Sequence, residues 1–134
     1  MKELFKSIVC PVDLDELYLK ALEFSKTLAQ QNNAKLYVVN VASEFDPDHG
    51  WEAGSRASLQ RHARAELQGK VGYEFVIRKG EVVEQILAAV RTFEADLIVI
   101  PTHGRRGLKK LMLGSVAERV VRESPVPVLT LRVR

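Results

Sequence analysis

A chain of 134 residues, 46% hydrophobic and 28% charged, has the length and composition of one globular domain with a core of its own. Its 20 basic and 17 acidic residues are interleaved and leave a net charge of only +3, which excludes the basic stripe of a nucleic-acid binder. Its apolar runs are far shorter than the roughly 20 residues that span a bilayer, and a single cysteine, Cys10, excludes an internal disulfide or a Cys-based zinc site.

The chain opens on Met1-Lys2-Glu3-Leu4-Phe5-Lys6, which mixes acid and base and leads into no signal-peptide apolar region, so a cytoplasmic location is expected. A first strand is predicted over Ser7 to Val12, with Cys10 a small buried residue at its end. Asp13-Leu14-Asp15-Glu16 has the spacing of a capping box, and Leu17, Ala21, Phe24 and Leu28 form the inner stripe of the helix that follows. Leu36 to Val41 is the second strand, and Ala42 to Gly50 the longest irregular segment, expected to be a mobile loop. From Trp51 to Gln68 a weaker helical period carries Leu59, Ala63 and Leu67 inward. Tyr73 to Ile77 alternates weakly, as an edge strand does, and a third helix presents Val83, Ile86, Leu87 and Val90.

Leu97 to Ile100, like the second strand, is almost continuously apolar, the mark of a strand covered on both faces. Ser115-Val116-Ala117-Glu118 repeats the capping-box spacing and starts a helix with a Val116, Val120, Val121 stripe. The last strand spans Val126 to Leu131. Strands alternating with helices imply βαβ units: one domain, 1–134, with an open, mostly parallel five-stranded sheet and helices on both faces. In the final strand, Val126, Val128, Leu129, Leu131 and Val133 make an apolar edge that calls for a partner.

The chemistry concentrates between the fourth strand and the last helix, in Pro101-Thr102-His103-Gly104-Arg105-Arg106-Gly107-Leu108-Lys109-Lys110-Leu111-Met112-Leu113-Gly114-Ser115. Glycines let main-chain N–H groups approach a ligand, and a helix N-terminus adds unpaired donors and partial positive charge, so phosphate is favoured there. Ser115 could bind phosphate, cap its helix, or do both. Arg105, Arg106, Lys109 and Lys110 could neutralise phosphate in part, and His103 could touch it or order the loop. Neither the P-loop spacing nor the dinucleotide-binding glycine pattern is present. His49, His62 and His103 lack metal-ligand spacing, and Asp46, Asp48 and His49 read as a solvated loop. No nucleophile and base are paired, so no enzyme is expected beyond incidental hydrolysis.

Six segments together resemble the universal stress protein family over essentially the whole chain. They are Ile8-Val9-Cys10-Pro11-Val12-Asp13, Val38 to Val41, Gly80-Glu81, Asp96 to Ile100 with Thr102-His103-Gly104-Arg105, Leu113 to Glu118, and Ser124-Pro125-Val126-Pro127-Val128-Leu129. The resemblance implies a Rossmann-like sheet in the order 3-2-1-4-5 and an ATP-binding subgroup whose motif is Gly, two residues, Gly, nine residues, then Gly-Ser or Gly-Thr. Gly104 and Gly114-Ser115 fit that motif, whereas Pro101 stands in place of the first glycine. Proline has no N–H and a fixed φ, so any donor from that glycine is lost.

By the same resemblance, Pro11, Val12 and Asp13 border the ligand, with Asp13 at the ribose, and Val41 holds adenine through its main chain. Asp13 could equally be a helix cap by its position alone. The phosphates would lie against Thr102, His103, Gly104, Arg105 and Gly107 and then Gly114, Ser115 and Val116. The implied cofactor is ATP, with Mg2+ if Asp13 positions a metal ion, and the implied partner is a second copy joined through Val126–Val133. A dimeric scaffold that works through protein contacts without nucleotide is the alternative.

Overall fold

The computed structural model describes residues 3–13, 16–42, 53–102 and 114–132. The apolar runs are strands and the 3.6-period segments between them helices: β1 (Ser7–Pro11), α1 (Glu16–Asn32), β2 (Lys35–Ala42), α2 (Ala53–Leu67), β3 (Tyr73–Lys79), α3 (Val82–Thr92), β4 (Leu97–Pro101), α4 (Ser115–Glu123) and β5 (Val128–Leu131). All pairings are parallel and the strand order is β3-β2-β1-β4-β5, as expected. Every residue of β4 is buried, because helices cover both of its faces.

Side chains alternate across the sheet. Ile8, Cys10, Leu36, Val38, Leu97 and Val99 pack with Leu22 and Ala29 of α1 and Leu59, Ala63 and Leu67 of α2. Val9, Val39, Ile98 and Ile100 pack on the other face with Val83, Ile86 and Val90 of α3 and Ala117 and Val120 of α4. Cys10 is fully buried, and that burial pushes its thiol up to about 12, with a smaller opposing effect from Ser25. It is packing material, not a nucleophile.

Three sequence expectations shift. The buried face of α1 is Ala21, Leu22, Ser25 and Ala29, while Phe24 is 39% exposed. Ser25 can face inward because its hydroxyl donates to the Ala21 carbonyl at 2.8 Å. In α4 the inner residues are Ala117 and Val120, and Val121 turns outward at 44% exposure. β5 begins at Val128 rather than Val126, since Pro127 contributes only its carbonyl, to the Ile98 N–H at 3.0 Å. The 42–50 loop beyond Ala42, with Asp46, Asp48 and His49, lies outside the described residues, as do Leu14 and Asp15 of the Asp13 capping box.

Gly80 and Glu81 have a physical reason to stand together before α3. Gly80 has φ +142, a left-handed-side conformation that a Cβ would strain, and that Cβ would also meet the Gln85 side chain at 3.0 Å. Glu81 is the N-cap, accepting from the Val83 N–H at 2.6 Å, and its other oxygen holds Arg119 of α4 at 2.7 Å. Burial acts to raise the Glu81 carboxyl, but the Arg119 and Val83 hydrogen bonds outweigh it and hold the group below its ordinary 4.5. A depressed carboxylate contributes stability above its unfolded pKa and loses it as pH falls through the folded one. Glu81→Gln is therefore expected to cost about 1 kcal/mol near neutrality and to flatten the stability loss below pH 4.5, read by urea midpoints across pH; an unaltered acid limb would contradict the assignment.

Candidate functional site

β1 continues through β2 to β3 on one side, and the chain returns to lay β4 on the other side of β1. The carboxyl ends of β1 and β4 therefore flank the topological switch point, where open α/β sheets bind ligands. The hydrogen bonds show how that seam is built. Val12 N–H donates to the Val39 carbonyl and Lys35 N–H to the Lys6 carbonyl, so even-numbered residues of β1 face β2 and odd-numbered ones face β4. Ile98 and Thr102 donate to β5 and its approach, so Pro101 turns its main chain toward β1.

Pro11 and Pro101 thus both turn their main chains to the seam, and neither has an N–H to donate. The β1–β4 register accordingly runs only through Ile8↔Leu97 and Val9↔Ile98, whereas β1 stays paired to β2 out to Pro11↔Val39. With those two donors missing, the β1–β4 ladder ends at Val9↔Ile98.

A cleft of about 80 Å³ lies at the carboxyl end of β4, lined by Tyr18, Pro101, Thr102, Gly114, Ser115, Val116 and Ala117. Thr102 is only 7% exposed and is held on both sides: its N–H donates to the Leu131 carbonyl at 3.0 Å, and its carbonyl accepts from the Gly114 N–H at 2.5 Å. Gly114, not Ser115, is the N-cap of α4, with φ −64 and ψ 160 and no side-chain capping bond. The first intrahelical bond is Glu118 N–H to the Gly114 carbonyl at 2.9 Å. Helix geometry therefore leaves the N–H groups of Ser115, Val116 and Ala117 as first-turn donors at the cleft, and Ser115 is exposed there. The Ser115 capping-box reading is corrected: Ser115 is the first helical residue, one position too late to cap.

The remaining expected residues divide. Asp13 is exposed just past β1, and Val12 is buried. Val41 lies beyond the last β1 pairing partner of β2, Val39. Because Lys35 and Val39 face β1, Val41 has the same parity and turns its N–H and C=O to the β1 side of β2. Gly114, Ser115 and Val116 line the cleft with Thr102. His103, Gly104, Arg105 and Gly107, with the cations Arg106, Lys109 and Lys110, lie outside the described residues.

Two residues at the site escaped the sequence reading. Tyr18 belongs to α1, which packs with α2 on one face of the sheet, yet it packs against the α3–α4 cluster of the other; an aromatic in the first turns after β1 was the only hint. Asn40, 9% exposed, donates its amide to the Val12 carbonyl at 3.0 Å; a lone polar residue inside an apolar strand was its signal. Among the described residues no cluster of three or more His, Cys, Asp or Glu is placed to hold a metal ion, and no helix is long and apolar enough to cross a membrane.

Residues 4–132 match the universal stress protein family. The chain belongs to that family. A universal stress protein of Thermus aquaticus is 34% identical over 96% of this chain and 100% of its own, and one of Methanocaldococcus jannaschii is 31% identical over 98% and 84%. Among solved structures, a second Methanocaldococcus jannaschii universal stress protein superposes with a TM-score of 0.81 at 24% identity, over 96% of both chains. A universal stress protein solved with cAMP gives 0.73 at 23% identity, over 96% and 97%. One from Archaeoglobus fulgidus solved with dAMP gives 0.62 at 20%, over 96% and 98%. These superpositions establish the shared Rossmann-like fold of this universal stress protein.

Proposed function

We propose that this universal stress protein binds an adenine nucleotide, ATP in the first instance, at the β1–β4 crevice, and acts as a cytoplasmic regulatory protein rather than an enzyme. The observation that carries the reading is the uncapped first turn of α4, Ser115–Ala117, opening into a cleft at the carboxyl end of β4. The residues present fit the group: main-chain donors and the Ser115 and Thr102 hydroxyls for phosphate, a carboxylate for ribose hydroxyls, and the Val41 main-chain edge for adenine. That two proteins of the same fold were solved with cAMP and dAMP supports an adenine ligand. Asp13 is the residue that would hold Mg2+ accompanying the phosphates. The absence of a paired nucleophile and base from the sequence supports a non-enzymatic role.

Denaturing the purified protein and weighing what it releases tests the reading. An adenine nucleotide in the supernatant is the expected result. The absence of both release and stabilisation by added ATP and Mg2+ would overturn it, since a ligand at a hundred times its Kd adds about 2.7 kcal/mol. The second reading, a dimeric scaffold without nucleotide, is favoured by one observation: the Pro101 ring lines the cleft where the motif has glycine. In either case β5 lies at the sheet edge with all four residues only half-buried, which supports a homodimer through Val126–Val133. Sedimentation at the mass of a single chain would remove that proposal.

A further inference from the structure

The crevice has two recognition edges on different strands: the Asp13 carboxylate after β1, and the main chain of Val41 on β2. Ladder bonds do not fix their spacing, because the β1–β2 register ends at Pro11↔Val39, below both. Two bonds continue the connection. Val12 N–H donates to the Val39 carbonyl at 2.8 Å, and the Asn40 amide donates to the Val12 carbonyl at 3.0 Å. Asn40 and Val12 are both buried, and a buried carbonyl left without a donor costs more than the bond itself contributes. The Val12 carbonyl belongs to the peptide whose nitrogen is that of Asp13, so the orientation of that peptide plane sets where the Asp13 side chain starts. Asn40 is in turn the residue directly before Val41.

We propose that Asn40 is a positioning residue for nucleotide recognition: through Val12 it holds Asp13 at a fixed distance from the Val41 main-chain edge, so that ribose and base are read together. This rests on the adenine-nucleotide reading above. Asn40 touches no ligand. It acts by removing the freedom of the β1–α1 junction, which would otherwise have to be ordered at each binding event. The neighbouring side chains on that face, Cys10, Val12 and Val38, are apolar and offer the Val12 carbonyl no alternative donor.

The test is a titration of the full chain with ATP and with 2′,3′-dideoxy-ATP, which lacks both ribose hydroxyls, in wild type and Asn40→Leu, with Tm recorded for each. Wild type is expected to prefer ATP at least tenfold. Asn40→Leu is expected to weaken ATP about tenfold, to leave dideoxy-ATP within about twofold, and so to collapse the ratio toward one. A variant that loses Tm but keeps both the ATP affinity and the ratio would overturn the proposal, leaving Asn40 a purely structural residue. If Asn40→Leu fails to fold, the smaller and still polar Asn40→Ser supplies the same ratio. Wild-type protein that binds neither compound would instead sink the nucleotide reading itself, and this proposal with it.

Discussion

Ser115→Asp is expected to abolish nucleotide binding while leaving the protein as stable as wild type, or slightly more so. Ser115 is the first residue of α4, and its N-cap Gly114 contributes no side chain to the helix end. A carboxylate in that turn complements the macrodipole and is worth roughly 0.3–1 kcal/mol to the helix. The same carboxylate would occupy the cleft that Ser115 lines with Thr102 and Val116 and take the donors of the first turn. Two unit charges about 4 Å apart repel by about 4 kcal/mol at an effective dielectric near 20, and a phosphate carries more than one. A loss of at least ~100-fold, about 2.8 kcal/mol, follows. Ser115→Ala deletes one hydroxyl and leaves the N–H groups, so no more than about tenfold is expected from it. Isothermal titration with ATP and a thermal melt read both quantities. Retained affinity in Ser115→Asp would show that phosphate does not sit at α4, wherever else a nucleotide binds.

Ile98→Ala is expected to have the largest effect on stability, a loss of about 3–4 kcal/mol. Ile98 is fully buried at the centre of β4, paired with Val9 of β1 on one side and Val128 of β5 on the other. Its side chain points into the α3–α4 cluster with Ile86, Val90 and Val120. β1 and β4 are bonded only over a short register, so the seam below the crevice depends on this packing more than a full ladder would require. Neighbours on strands and helices that are themselves fixed cannot collapse into the space, which keeps the cost away from the lower end of the usual range. A drop in Tm of roughly 10 °C or more is the expected reading for a chain of this size. A change of under about 1 kcal/mol would mean that the core near residue 98 is far looser than its burial indicates.

Much of this architecture was legible without coordinates. Near-continuous apolar runs marked the central strands, weak alternation in Tyr73–Ile77 marked an edge, and the Val83, Ile86, Leu87, Val90 stripe was the buried face of α3. Each of these is a local property of composition and period. The crevice was legible in part: β1 and β4 had to end together if they were neighbours, and Gly114-Ser115 had to open a helix.

Other features depend on partners that are distant in sequence. Phe24 and Leu22 both suit a helix stripe, and only the docking of α1 on β1 and β4 decides that Leu22 goes inside. Whether Ser115 or Gly114 caps α4 turns on the direction of a single N–H, which the Thr102 carbonyl captures. Asn40 finds Val12 across 28 residues, and Glu81 finds Arg119 across 38. Pro101 carries the same division. As a sequence feature it was a missing glycine and a lost donor. Turned to the same seam as Pro11 by the strand order, it becomes one of the two missing donors at which the β1–β4 ladder ends. Chain order and periodicity are enough to determine the strands and helices of this protein, and its motifs carry the family resemblance. The parity of main-chain groups across neighbouring strands exists only once the sheet has formed, and that parity decides which N–H and C=O groups look into the crevice.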